Sequence, residues 1–264
     1  MDAVIHIVAG IMLGGLVNAL ADNLPHGRLL ARPRYPDGAP RPLVAWLALA
    51  AFLFNRRRSP DIGTPGRLGW RYPLTELALA GLLPVTHLAG AQAPLGQQLL
   101  WHSYVVVFVL LGILDIEHKR ILFWPVIALS ALALFDAAVY PQPAPAVPSS
   151  LAGGVTGGLV FSLVYAGGQV YRQSFRRGAE MPTAFGKGDV YLMAMGGLVL
   201  GFPNVLAAMA ATVFLGGGGA LTWLLGARLR GQGLARFTAL PYGPYILAAT
   251  YAAMIGLGGV SPGF

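Results

Sequence analysis

The chain has 264 residues, of which 56% are hydrophobic and 11% charged, and a formal charge of +8; soluble domains of this size carry about 25% charged residues, so a bilayer is the natural solvent. The absence of cysteine excludes a disulfide framework, a thiolate zinc site and a cysteine nucleophile, and leaves Asp, Glu, His, Ser or a cofactor for any chemistry. An isoelectric point near 10.1 does not point to nucleic acid, because the basic residues fall in short blocks between apolar segments and not along one stripe.

A span across about 30 Å of hydrocarbon needs roughly 17 to 25 apolar residues, and eight stretches approach that length. The first covers 4–21. The chain opens Met1-Asp2-Ala3 and has no Lys or Arg before Arg28, which predicts a retained first span, not a cleaved secretory signal. The stretch 43–54, LVAWLALAAFLF, is only twelve residues long and runs into Arg56, Arg57 and Arg58; it predicts an interfacial or loop helix. Further spans follow at 73–90, 99–116, 121–140 and 150–171. In the last of these, Gly153, Gly154, Gly157 and Gly158 form two overlapping Gly-x-x-x-Gly spacings, a signal for close helix packing. The sixth span, 189–202, is short and ends at Pro203, where a helix is expected to break. Spans at 204–226, which carries Gly216 to Gly219, and at 243–261 complete the set. No repeat of fixed period appears. The expectation is an all-α polytopic integral membrane protein with about eight transmembrane helices in one domain, 1–264, with a large first loop at 22–72.

Cytoplasmic loops carry the excess of Lys and Arg, and alternate loops here differ completely. With the N-terminus outside, the inner loops hold nine such residues in 22–72, then Lys119 and Arg120, then four from Arg172 to Lys187, then Arg228, Arg230 and Arg236, which exhausts all 18. The outer loops, AQAPLGQQ at 91–98 and PQPAPAVPSS at 141–150, hold none.

The acidic residues are Asp2, Asp22, Asp37, Asp61, Glu76, Asp115, Glu117, Asp136, Glu180 and Asp189. Asp115 ends the third span and Asp189 opens the sixth, so the expected topology puts both at the cytoplasmic boundary. An ionisable residue within a span costs on the order of 2.5 to 3.5 kcal/mol at the centre and marks a functional candidate. Two carboxylates brought together share a proton and can activate water for attack on a peptide carbonyl. Snorkelling or pairing with Lys119, Arg120 or Lys187 is the structural alternative. Gly186 and Gly188 flank the approach to Asp189 and would allow a tight turn and close passage of a substrate backbone. Glu117 and His118 adjoin Asp115 and would tune it, bind substrate, or anchor the helix end at the interface. Glu76, Asn18 and Asn23 suit interhelical hydrogen bonding. His-Glu-x-x-His, Gly-x-Ser-x-Gly and Walker A motifs do not occur.

Four blocks give the chain a family likeness: GGLVNALADNLP at 14–25; RYPLTELALAGLL at 71–83; LDIEHKRIL at 114–122 with FGKGDVYLMAMGGLVLG at 185–201; and LPYGPYILAA at 240–249. In these the chain resembles the type IV prepilin peptidases, membrane aspartyl proteases of the Gly-x-Gly-Asp class. The resemblance implies Asp115 and Asp189 as the catalytic pair, with Gly186, Gly188, Glu117, His118 and Lys187 in support. It implies prepilin or pseudopilin precursors as partners, in type IV pilus or type II secretion assembly, at a prokaryotic cytoplasmic membrane. No metal is implied in the catalytic step, and S-adenosylmethionine enters only if the methylation seen in some members is retained. The chain departs from the family in lacking paired Cys-x-x-Cys motifs in the first loop, so a zinc-tethered loop cannot form. It also has Tyr191 where Lys is common, and Leu122-Phe123 in place of Pro-Asp or Pro-Asn. The competing expectations are an ion-coupled transporter, whose ionisable residues would sit near the midplane, and an inactive assembly component.

Overall fold

The computed structural model describes residues 2–28, 31–60, 66–141, 145–175, 186–229 and 241–258. Among the inner-loop cations, Arg176, Arg177, Arg230 and Arg236 lie outside the described residues, as do the last three positions of the expected eighth span. The described chain is helical, with two isolated antiparallel bridges, Arg34 to Pro40 and Arg58 to Arg67, and no strand among the described residues.

Helix α1 is Asp2–Asn23, α2 Ala48–Leu53, α3 Arg71–Ala89, α4 Leu95–His118, α5 Phe123–Val139, α6 Val147–Phe175, α7 Lys187–Leu200, α8 Asn204–Leu229 and α9 Gly243–Gly258. Each expected span therefore falls on a helix, and 43–54 breaks into a 3-10 turn at Leu43–Ala45 followed by the short α2. Four stretches, Asp2–His26, Leu95–His118, Val147–Tyr171 and Asn204–Leu229, are long and apolar enough to cross a membrane, and Phe123–Val139 is a shorter apolar helix. Their outward faces are apolar as well: Val4, Met12, Leu159, Leu163, Phe214 and Leu221 are all more than half exposed. Water would not tolerate so continuous an apolar surface, whereas lipid does.

By internal contacts the chain divides into two units, Met1–Ile113 and Leu114–Phe264, with the boundary inside α4. In the first unit α1 runs along α3, and the approach is set by glycines. A Cβ at Gly10 would strike the backbone of Leu79 and Ala80, and one at Gly14 the backbone of Glu76. Asn18 donates to the Tyr72 carbonyl at 2.9 Å. Glu76, expected as an interhelical hydrogen-bonding residue, is fully buried and accepts from the backbone amides of Ala48 and Leu49. It caps the N-terminus of α2 from another element, satisfying donors that a helix start leaves open.

The first loop has its own small core of Tyr35, Ala45, Ala51 and Leu68. Asp22, at the end of α1, accepts from Arg71 at 2.5 Å, from Tyr72 at 3.1 Å and from Arg41 at 3.4 Å. The guanidinium of Arg41 lies 4.5 Å from the Tyr72 ring, and that of Arg57 lies 4.5 Å from Phe52 and 5.2 Å from Trp70. Ionic, cation–π and apolar contacts thus fold a loop that has no cysteine to bind zinc.

In the second unit α6 and α7 touch through their glycines. A Cβ at Gly153 would run into the Gly197 carbonyl, one at Gly197 into the Gly153 carbonyl, and one at Gly157 into that of Met193. Ser150 donates to the Leu198 carbonyl at 2.6 Å and Ser149 to that of Phe202 at 2.7 Å. Close backbone contact with side-chain hydrogen bonds is how helices associate where lipid removes the hydrophobic drive. In α8, Gly216 and Gly219 leave room for the rings of Tyr242 and Tyr245.

Candidate active site

Three chain segments of the second unit meet at Asp115. Helix α4 ends three residues later, where Lys119 takes a left-handed φ of 50° and returns its N–H to the Asp115 carbonyl at 2.9 Å. The Asp115 side chain is only 7% exposed. Its Oδ2 accepts the backbone N–H of Gly243, the first residue of α9, at 3.0 Å. Pro244 follows in the first helical turn, where its missing N–H leaves nothing unsatisfied. The carboxylate therefore sits at a helix N-terminus, where free amides and the helix dipole receive an anion.

Asp189 lies in the first turn of α7, 6% exposed. Its Oδ2 accepts the N–H of Gly186 at 2.8 Å, and its own N–H donates to the Gly186 carbonyl at 3.2 Å. This is one arm of a capping box, with glycine at the N-cap. Gly186 is extended, with φ −92° and ψ 159°, so its turn requires no left-handed residue. Gly188 is needed for a different reason. A Cβ there would lie 2.6 Å from Cδ1 of Ile121, which brings α7 against the segment that follows α4.

The carboxylate of Asp115 and the helix that carries Asp189 both meet Gly243. Gly243 fixes the relation: a Cβ on it would lie 2.6 Å from the Asp115 carboxylate and 3.1 Å from Leu192, one turn beyond Asp189 on α7. Tyr242, beside Gly243, donates to the Thr212 carbonyl at 3.2 Å and meets Tyr245 edge-on at 6.0 Å. Among the described residues each of these buried acids is held through one oxygen by a backbone amide, which leaves its other oxygen for a water or a substrate group.

The supporting residues separate into two sets. Gly186 and Gly188 shape the start of α7, whereas Lys187, Glu117 and His118 are exposed and stand beside the carboxylates in sequence. The two departures at Phe123 and Tyr191 touch each other: their rings form an edge-on pair at 5.5 Å. Gly243, Tyr242 and Ile121 escaped assignment from sequence. The Pro-Tyr-Gly-Pro block pointed to the place, but nothing in its composition names a backbone amide as the partner of Asp115. Among the described residues no group of three His, Asp or Glu side chains is arranged to hold a metal ion.

Residues 103–221 match the model of the type IV leader peptidase family. The matched stretch contains both Asp115 and Asp189 and stops short of Gly243. No curated protein and no solved structure matches the chain.

Proposed function

We propose that this chain is a membrane aspartyl endopeptidase that removes the basic leader from prepilin-like precursors at the cytoplasmic face of a prokaryotic inner membrane, in type IV pilus or type II secretion assembly. The family match over 103–221 supports a peptidase. The observation that supports the aspartyl mechanism is the buried pair itself: Asp115 and Asp189 lie near the end and the start of helices of one unit, each buried and each bonded to a backbone amide. All eight long helices cross the bilayer on this reading, with the N-terminus outside. Helix α7, at 14 residues, rises about 21 Å. It packs on α5, α6, α8 and α9, so protein instead of lipid meets much of its surface.

The precursor's apolar helix lies in lipid and brings its scissile bond to the depth of the carboxylates. One aspartate takes a proton from water as it attacks the carbonyl. The other, protonated, donates to the departing amine or to the developing oxyanion. In a coupled pair of acids the two roles belong to the dyad and not to either residue alone. The first loop folds without zinc, and S-adenosylmethionine would be required only for methylation of the new N-terminus.

The test is cleavage of a precursor with a basic leader and apolar helix in membranes holding wild type, Asp115→Asn or Asp189→Asn at equal expression. Both variants are expected to lose leader removal. Retained cleavage in either would end the aspartyl reading and direct attention to ion-coupled flux through the same residues.

A further inference from the structure

An apolar groove in the first unit lies between α1 and the first loop, with a volume of about 590 Å³, within the roughly 300 to 1,000 Å³ usual for small-molecule sites. Met12, Leu16 and Leu20 of α1 form one wall, Leu43, Trp46 and Leu47 the other, and Arg32 is the charged residue of the lining. The groove occupies the C-terminal half of a helix long and apolar enough to cross a membrane.

Among the described residues the arginines at this end are not all matched by an acid. Asp22 and Asp37 are the acidic residues of 22–58, and both are engaged. Asp22 is taken by Arg71, Arg41 and Tyr72. Asp37 accepts from the backbone amides of Ala39 at 3.0 Å and Gly66 at 2.8 Å. Arg28 and Arg32 are exposed and form no ion pair among the described residues. An apolar slot with a cationic lip requires a ligand that is apolar along its length and anionic at one end. A neutral lipid would fill the slot and leave the arginines without an anion. Free phosphate would do the reverse. The apolar helix of a substrate preceded by a basic leader would bring like charge to the lip.

We propose that this groove binds one anionic glycerophospholipid, with an acyl chain along α1 and the phosphate at Arg32. The proposal rests on α1 lying in the membrane, not on the peptidase reading. Trp46, on the groove wall, supplies the readout. The protein is placed in nanodiscs containing phosphatidylglycerol or phosphatidylcholine brominated on the acyl chain, and the Trp46 signal is taken as the difference between wild type and Trp46→Phe.

Brominated phosphatidylglycerol is expected to quench Trp46 at mole fractions where brominated phosphatidylcholine does not. The preference should fall about fivefold for Arg32→Gln, and Ala19→Phe, which fills the groove, should abolish quenching by both lipids. Inorganic phosphate should not compete. Equal quenching by the two lipids, a preference unchanged in Arg32→Gln, competition by phosphate, or stronger quenching by a brominated apolar peptide would each overturn the proposal. Precursor cleavage in the same nanodiscs reports separately on the peptidase.

Discussion

Replacing Gly243 by alanine would place a methyl carbon 2.6 Å from the Asp115 carboxylate and 3.1 Å from Leu192, too near for either to stay in position. Misplacing a catalytic group by about 1 Å costs on the order of a hundredfold in rate, so Gly243→Ala is expected to lower precursor cleavage by about that factor while the protein still accumulates. Gly186→Ala makes a useful contrast. Its added carbon would meet only ordinary contacts at 3.7 Å or more, and its backbone suits any residue, so cleavage should stay near wild type. Gly188→Ala presses on Ile121, and pairing it with Ile121→Ala should restore part of the lost activity, which a double-mutant cycle would read. If all three glycine variants lost activity equally, these contacts would not be what positions the dyad. The aspartates were legible in the sequence because a carboxylate at the end of an apolar run is conspicuous. The Gly243 amide was not, since its bond to Asp115 spans 128 positions and uses a group that nearly every residue has.

Helices and their caps set the next level. The eight apolar runs could be read directly from hydropathy, and a helix lies on each, since the α-helix is the backbone form that satisfies its own hydrogen bonds within one segment. The folded first loop could not be read that way. Its short apolar stretch, scattered arginines and prolines show no period, and its order comes from long-range partners such as Glu76 and Asp22. Glu76→Ala would leave the buried amide of Ala48 and the partly buried one of Leu49 without their acceptor, a loss of up to about 1 to 3 kcal/mol for each stranded group. The expected result is faster tryptic cutting at Arg56 to Arg58, with Glu76→Gln intermediate. The same loop carries a pH response. The Gly66 amide, and after it that of Ala39, hold the Asp37 carboxyl below its ordinary value. A group depressed in the folded state stabilises above its unfolded pKa and loses that stabilisation as the pH falls through the folded one. Hydrogen exchange at Gly66, corrected for its intrinsic rate, should therefore be slow at pH 6 and faster below the usual carboxylate range, and Asp37→Asn should be fast at both.

Across the molecule, the distribution of charge makes the strongest demand. Lys and Arg occur only in alternate loops and at the helix ends that flank them, and a helix too many or too few would mix the two classes, so the eight-span topology with the N-terminus outside stands or falls on which loops face the cytoplasm. A chain without cysteine can be mapped by single cysteines with no background labelling. Ala91 and Pro141 are exposed positions in the expected outer loops, and Arg56 and Arg120 are exposed in the expected inner ones. In intact cells with the outer envelope permeabilised, a membrane-impermeant maleimide should label Ala91→Cys and Pro141→Cys. Arg56→Cys and Arg120→Cys should react only after the inner membrane is opened. Arg120 matters most, because it lies five residues beyond Asp115 and reports the side on which the carboxylate pair would meet a substrate. Labelling of Arg120→Cys from outside would put the dyad at the outer face, where the cytoplasmic leader of a precursor could not reach it. The proposed substrate would then fail even if both aspartates proved essential.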